Sequence, residues 1–265
     1  MAPCKSRWKK NAILAWLGKY KESDYWVCYT PNAKELDFER IGTTCRVQPL
    51  REFGDELEST VDAGILATAN GLVEFHKSHS FCSNCANQTT IAKAGACRTC
   101  SGCKRRIYPR MDLASIMLIT SSCGNYGLLG RKKSWPKGRY STLAGFAEVG
   151  ETIEDCCIRE TLEESGVIVD PTSVTFVASQ PWPFPQSLMV GFRGRAYPQQ
   201  HGLPRIEVNV DEMENVHWFS REYVRERLEG GSSALGYNPT TKEEEFHIPG
   251  RSSLARLLIT QWANE

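Results

Sequence analysis

The chain has 265 residues, with 32 Lys and Arg against 31 Asp and Glu and 41% hydrophobic residues. That length carries one large domain or two modest ones with ample core. The formal net charge of +1 excludes a general polyanion-binding surface. Two local basic clusters remain: Lys104, Arg105, Arg106 and Arg110, then Arg131, Lys132, Lys133, Lys137 and Arg139. Each alone reads as a solvated surface, although beside an anion-handling site one can steer substrate. No run of about 18 apolar residues occurs, so no transmembrane helix or membrane partner is expected. The N-terminal MAPCKSRWKKNAILAWLG lacks the long apolar core and cleavage site of a secretory signal. The closing Ala-Asn-Glu is not a peroxisomal address of the Ser-Lys-Leu type. Eleven cysteines, an odd number, include the neighbours Cys156 and Cys157 in a predicted helix and four at metal-like spacing. That pattern points to a reducing compartment, read as cytoplasmic, without fixing an organelle.

Residues 1 to about 58 read as a small mixed segment. The apolar patch Ala12–Leu17 is followed by expected strands at Tyr25–Tyr29 and Thr44–Leu50. Val61, Ile65, Ala69, Leu72 and Val73 recur at helical spacing and predict a helix from about Glu58 to Phe75. Two C-x2-C knuckles follow, Cys82 with Cys85 and Cys100 with Cys103, separated by 14 residues. Such a pair can wrap one tetrahedral Zn²⁺ in four thiolates, leaving no open position, so the ion would be structural. Cys97 forms a competing knuckle with Cys100, but Ser101-Gly102 between the preferred pair suits the tight turn better. His76 and His79 are ligands by type, and their place before Cys82 suits a helix end or a contact with substrate or solvent. Boundaries fall near residues 78 and 108. They give an N-terminal domain at 1–77, a cysteine ribbon at 78–108 and a third domain at 109–265.

In that third domain Ala114–Thr120 and Gly127–Gly130 are strand candidates joined by a turn-like stretch, with later strands at Val174–Ala178, Leu188–Ala196 and Val216–Phe219. A closing helix is expected from Ser253 to Trp262, capped by Ser252 or Ser253. Between these lies GFAEVGETIEDCCIRETLEESGV, residues 145–167. Asp155–Ser165 has helix-compatible composition, and Gly166 stands where a helix C-terminus is often closed. On that helix Glu160, Glu163 and Glu164 are related as i, i+3 and i+4 and project from one face. Clustered carboxylates resist full ionisation unless a cation neutralises them, and hard oxygen ligands suit Mg²⁺ or Mn²⁺ with phosphate oxygens completing the shell. Gly145 and Gly150 allow a tight loop before a helix N-terminus that favours anions. A solvated acidic face is the ordinary reading of such a string; here the two glycines and Arg159 fit at the same time. Further on, Ser179–Ser187 (SQPWPFPQS) holds three prolines in five residues, predicting a stiff aromatic loop suited to stacking on a flat ring or to covering the core.

The segment 145–167 resembles the Nudix box G-x5-E-x7-R-E-U-x-E-E-x-G-U, where U is aliphatic, departing from it only at Thr161. The chain as a whole is similar to the NADH pyrophosphatase family of Nudix hydrolases, whose signature SQPWPFPxS residues 179–187 reproduce. Tyr108-Pro109-Arg110, Leu143–Glu151, the cysteine ribbon and Ile248-Pro249 extend the likeness over nearly the whole chain, weakly over the first 50 residues. Leu113 stands where a proline is common, and Phe75 where a Trp often precedes the first histidine. The resemblance implies an α+β fold: a Nudix α/β/α sandwich with a mixed sheet, preceded by a zinc ribbon and a small N-terminal α+β domain. It implies metal-dependent hydrolysis of NADH or NAD⁺ to NMNH or NMN plus AMP, removal of NAD caps from RNA 5′ ends, and a homodimer. Glu160, Glu163, Glu164 and Glu212 would hold Mg²⁺ or Mn²⁺, with Glu164 a candidate base. Phe146, Tyr108 and Trp182 would contact the bases, Gln180 and Ser187 would belong to the substrate site, and Ala255 would lie near it. Arg159 is expected to orient carboxylates through ion pairs with Glu151 or Glu163. A broader nucleoside-diphosphate-derivative hydrolase of ADP-ribose type and a non-catalytic dinucleotide- or RNA-binding module are the alternatives.

Overall fold

In the computed structural model, residues 12–31, 49–229 and 246–265 are described. The chain divides into two compact units, 1–111 with 182–186, and 112–181 with 187–265. In the first, β1 (Ile13–Tyr20) and β2 (Ser23–Tyr29) form an antiparallel hairpin. Residues 44–48 of the expected strand Thr44–Leu50 lie outside the described residues. Leu50 itself opens a short helix, α1 (Leu50–Phe53), directly after Pro49, whose fixed φ suits a helix start. Helix α2 (Thr60–Ser78) runs three residues past the expected end. The Ser59 hydroxyl accepts the Asp62 N–H at 3.2 Å and satisfies one of the free donors of its first turn. Strands β3 (Thr89–Ala92), β4 (Cys97–Cys100) and β5 (Arg106–Ile107) then make a small antiparallel sheet.

The second unit is built on a six-stranded mixed sheet. Its strands are β6 (Asp112–Thr120), β7 (Tyr126–Arg131), β8 (Leu143–Phe146), β9 (Thr175–Trp182), β10 (Ser187–Arg195) and β11 (Asn215–Ser220). They lie in the order β11-β7-β6-β10-β9, with β8 also paired to β6 and β10 parallel to it. Three helices complete the unit: α3 (Ile153–Ser165), α4 (Arg221–Glu229) and α5 (Leu254–Ala263).

The unbroken apolar run on β6 is the mark of a strand covered on both faces. Ile116 and Leu118 join the core cluster of Leu254, Leu258, Ile259 and Trp262 on α5. Met117 and Ile119 point the other way, into the cluster that holds Cys157 of α3, Val167 and Phe192. Alternation along one strand thus packs a helix against each face, giving the expected α/β/α sandwich. The proline-rich stretch departs from expectation. Residues 179–182 were read as loop, but they complete β9. That strand sits at the sheet edge, where the missing N–H of Pro181 is tolerated.

Candidate active site

Strand β8 delivers Gly145 and Phe146 to the mouth of a loop that ends in α3. The Thr152 hydroxyl caps the helix by accepting the Asp155 N–H at 3.1 Å. Gly166 closes it with φ of 71°, its N–H donating to the Leu162 carbonyl at 2.7 Å. Gly145 has a strict spatial reason. A Cβ there would lie 1.8 Å from Cδ of Glu160 and 2.1 Å from both its carboxylate oxygens. Thr161, the one departure from the motif, is fully buried, and its hydroxyl donates to the Cys157 carbonyl at 2.7 Å. Its methyl packs where an aliphatic would, and its polar atom is satisfied inside the helix.

Arg159 ties this loop to the helix. Its Nε and Nη2 grip the two oxygens of Glu151 at 2.7 and 2.8 Å. Nη1 donates to Glu160 and to Glu163, each at 2.9 Å, and Nη2 also donates to the Phe146 carbonyl at 2.9 Å. The Arg159 guanidinium, helped by the Glu148 N–H, holds the Glu151 carboxyl down at about 2.

Glu160, Glu164 and Glu212 each offer an oxygen, all within 4.8 Å of one another. Glu163 is not in that group; its carboxylate is half exposed on Arg159. The loop carrying Glu212 is fastened to α3: the Asn209 N–H donates to the Glu164 carbonyl at 3.3 Å, and the Asn209 carbonyl accepts the Glu212 N–H at 3.2 Å. Glu164 is 1% exposed, and its Oε2 has no hydrogen-bond partner among the described residues. Burial pushes its carboxyl up to about 8, with Lys132 opposing and the Glu160 and Glu212 charges adding. Lys132 Nζ stands 3.9 Å from Glu164 Oε1. Burial likewise raises Glu160, against the pull of Arg159. An orphaned, desolvated carboxylate oxygen inside a three-carboxylate cradle fits a hard divalent cation, which would satisfy it and remove the mutual repulsion.

Sequence reasoning placed Lys132 in a surface basic cluster. Its approach to Glu164 depends on where β7 ends relative to α3, which no local signal encodes. The aromatic candidates are distributed. The Phe146 ring is exposed at the end of β8. Tyr108 and Trp182 fall in the first unit, where Lys93 stands over Tyr108 and Arg51 over Trp182. Gln180 is engaged at both ends of its amide: Nε2 donates to the Ser252 carbonyl at 2.6 Å, and Oε1 accepts the Leu254 N–H at 2.8 Å. Ser187 is buried at the start of β10, and Ala255 is buried in the core cluster of α5.

In the first unit, Cys82, Cys85, Cys100 and Cys103 place their sulfurs within 4.8 Å of one another. Cys82 and Cys103 approach to 3.8 Å, and Cys85 and Cys100 to 3.4 Å. Tetrahedral thiolates about 2.3 Å from one ion are ~3.8 Å apart, so this donor set fits a single closed metal site. Gly102 is needed in the second knuckle, since a Cβ there would sit 2.6 Å from Nδ2 of Asn87. Cys97 stays outside the group, buried on β4 opposite Ala92. His76 is buried with Nε2 2.9 Å from the Gly95 carbonyl, and Arg98 donates to the His76 carbonyl at 3.2 Å. His79 caps α2 through Nδ1, 3.1 Å from the Phe75 carbonyl. Both histidines serve the scaffold.

A glycine-bounded loop, a capped helix with clustered glutamates and an α/β/α sandwich define a Nudix domain, and the NUDIX domain family model matches residues 111–235. NAD-capped RNA hydrolase NUDT12 of Pongo abelii is 38% identical over 209 residues, covering 76% of this chain and 42% of that protein. The mitochondrial NAD(P)H pyrophosphatase NUDT13 of Homo sapiens is 35% identical over 209 residues, covering 77% and 56%. NAD-capped RNA hydrolase NudC of Mycobacterium bovis is 33% identical over 214 residues, covering 81% and 64%. The chain belongs to the NADH pyrophosphatase family of Nudix hydrolases. It spans roughly half the length of these curated relatives, between 42% and 64%.

Proposed function

We propose that the protein hydrolyses the pyrophosphate of NADH or NAD⁺ to NMNH or NMN plus AMP, and that it removes NAD caps from RNA 5′ ends. The observation that carries this reading is the cradle of Glu160, Glu164 and Glu212, with its unpartnered buried oxygen. Relatives named for both activities support the substrate class. These three glutamates, with Glu163 at the edge, would hold Mg²⁺ or Mn²⁺. When bound, the ion supplies charge neutralisation for the pyrophosphate and an acidified water.

The chain's own residues do the rest. Arg159 fixes Glu151, Glu160 and Glu163 in place, so the carboxylates need not reorganise as charge develops. Glu164 is the candidate base for the proton of the attacking water. Lys132 lies beside it and offsets negative charge. Phe146 and Tyr108, whose rings are exposed, and the half-buried Trp182 would contact the bases, as in the family. Gln180, Ser187 and Ala255 would belong to or lie near the substrate site, and Gln180 also bonds Ser252 and Leu254 at the start of α5. Cys82, Cys85, Cys100 and Cys103 would hold a structural Zn²⁺ within a ribbon at 78–108, between an N-terminal domain at 1–77 and a Nudix domain at 109–265. The protein works as a homodimer in a reducing, cytoplasmic setting; its adjacent buried Cys157 thiol is pushed up to about 12 and is inert. No helix among the described residues is long and apolar enough to cross a membrane.

Turnover of NADH, NAD⁺, ADP-ribose and an NAD-capped RNA at equal concentration with Mg²⁺ tests the reading, with Glu164→Gln alongside. The expected result is preference for NADH or the capped RNA and a loss of about 100-fold or more in Glu164→Gln. Preference for ADP-ribose, or near-wild-type turnover by the variant, would overturn it.

A further inference from the structure

The second unit carries another charged site at the opposite end of its sheet. Arg193 and Arg195 are two residues apart on β10, so their side chains leave the same face. With Arg221, the first residue of α4, they line an open cavity of about 410 Å³ together with Ser122, Thr175 and Glu265. That volume lies within the range of roughly 300–1,000 Å³ typical of small-molecule sites. Thr120 at its rim is five positions along β6 from Ser115, the residue paired with Gly145. At strand spacing this is roughly 16 Å, so the cavity is separate from the glutamate cradle.

Its charges are not balanced internally. Among the described residues, Glu265 is the sole acidic residue lining the cavity, and its side chain pairs with Arg193. The Arg195 side chain has no hydrogen bond or ion pair among the described residues. Arg221 is held in place by Nη2 donating to the Gly124 carbonyl at 2.8 Å and by its position over the Trp262 ring. Its Nε is buried with no partner among the described residues, so its desolvation is left uncompensated there. The Cys123 thiol beside it is held below its ordinary value, first by the Ser121 hydroxyl and in part by the Arg221 charge. The three guanidiniums outnumber the acidic groups of Glu265, and their planar forks match phosphate oxygens.

We propose that this cavity binds a phosphate dianion, as inorganic phosphate or as the phosphate of a nucleoside 5′-monophosphate, which competes with Glu265 for Arg193. The convergence of three guanidiniums favours a dianion over a carboxylate ligand, and Ser122 and Thr175 add neutral hydroxyls at the wall.

The test is thermal melting of the full chain with no added divalent ion, at ionic strength held constant with chloride, titrated separately with inorganic phosphate and with AMP. A saturable rise in Tm is expected for the wild type, with Arg195→Gln weakening the apparent affinity about tenfold or more. Glu265→Gln is expected to tighten it, a gain that misfolding cannot mimic. Glu160→Gln, in the cradle, is expected to leave phosphate binding unchanged. The ligand that saturates at lower concentration identifies the source. A phosphate response no larger than that of chloride, or one equal in the wild type and Arg195→Gln, would overturn the proposal, as would its loss in Glu160→Gln.

Discussion

Glu164 is an instance of function held at the expense of stability, and its cost can be worked from its surroundings. The side chain is 1% exposed, one oxygen lacks a partner, and Lys132 at 3.9 Å is the nearest counter-charge. Burial raises its carboxyl from 4.5 to about 8. Below pH 4.5 the group is neutral both folded and unfolded and costs nothing. Above it, the unfolded chain ionises and gains solvation while the folded chain does not, so stability falls as pH rises towards 8. At about 1.4 kcal/mol per unit, the loss between pH 5 and 8 is on the order of 3 kcal/mol. Glu164→Gln keeps the shape and cannot ionise. Without added divalent ion, its Tm is therefore expected to exceed that of the wild type by a margin that grows from pH 5 to pH 8, by roughly 6–12 °C. Adding Mg²⁺ at pH 8 is expected to close the gap by raising the wild type alone. Circular-dichroism melts at the two pH values, with and without Mg²⁺, measure this directly. A gap independent of pH, or a variant less stable at pH 8, would refute the argument.

Three further outcomes follow from particular contacts. Gly145→Ala puts a methyl where the Glu160 carboxylate now sits. The carboxylate must retreat by about 1.6 Å, from 1.8 Å to the 3.4 Å of ordinary contact. Since a displacement near 1 Å can cost about 100-fold, kcat for NADH is expected to fall by at least that. Glu151 is held at about 2 by Arg159, so its contribution is intact above pH 4.5 and lost as pH falls from 4.5 towards 2. In acid melts the wild type should lose stability over that window more steeply than Glu151→Gln, and equal slopes would contradict the clamp. Cys85→Ser removes one of four convergent sulfurs. Atomic emission on the purified protein should then show clearly less than the one bound transition metal per chain expected of the wild type.

Long periodic elements were legible in the sequence. The stop signal of α3 at Gly166 and the apolar run of β6 both rest on local chemistry that the fold preserves, while α3 begins two residues before Asp155, capped by Thr152. The proline-rich stretch was harder. Proline count argued for a loop, but a strand at a sheet edge has a free hydrogen-bonding side, and edge position is decided by pairing far away in the chain. Leu50, the last residue of the expected strand Thr44–Leu50, instead opens α1, because Pro49 sets the backbone for a helix start. In the site, helical spacing put Glu160, Glu163 and Glu164 on one face but could not tell on which side of Arg159 each would settle. Glu212 and Lys132 approach Glu164 through tertiary structure, from a loop and from the end of β7, so neither position carries a local signature of its own.

The ties made by Arg159 have a further consequence for how the molecule answers to its surroundings. Loop and helix are joined by guanidinium bonds that are complete without any ion. A divalent cation can therefore leave and return without the loop having to rebuild, and activity then follows the free ion concentration on the time scale of ion exchange. The cysteine knuckles have backbone bonds such as the Cys82 N–H to the Asn87 carbonyl at 2.9 Å, but among the described residues no ion pair ties their sulfurs together. One unit would track its ion supply reversibly, while the other would keep the metal it acquired as it folded.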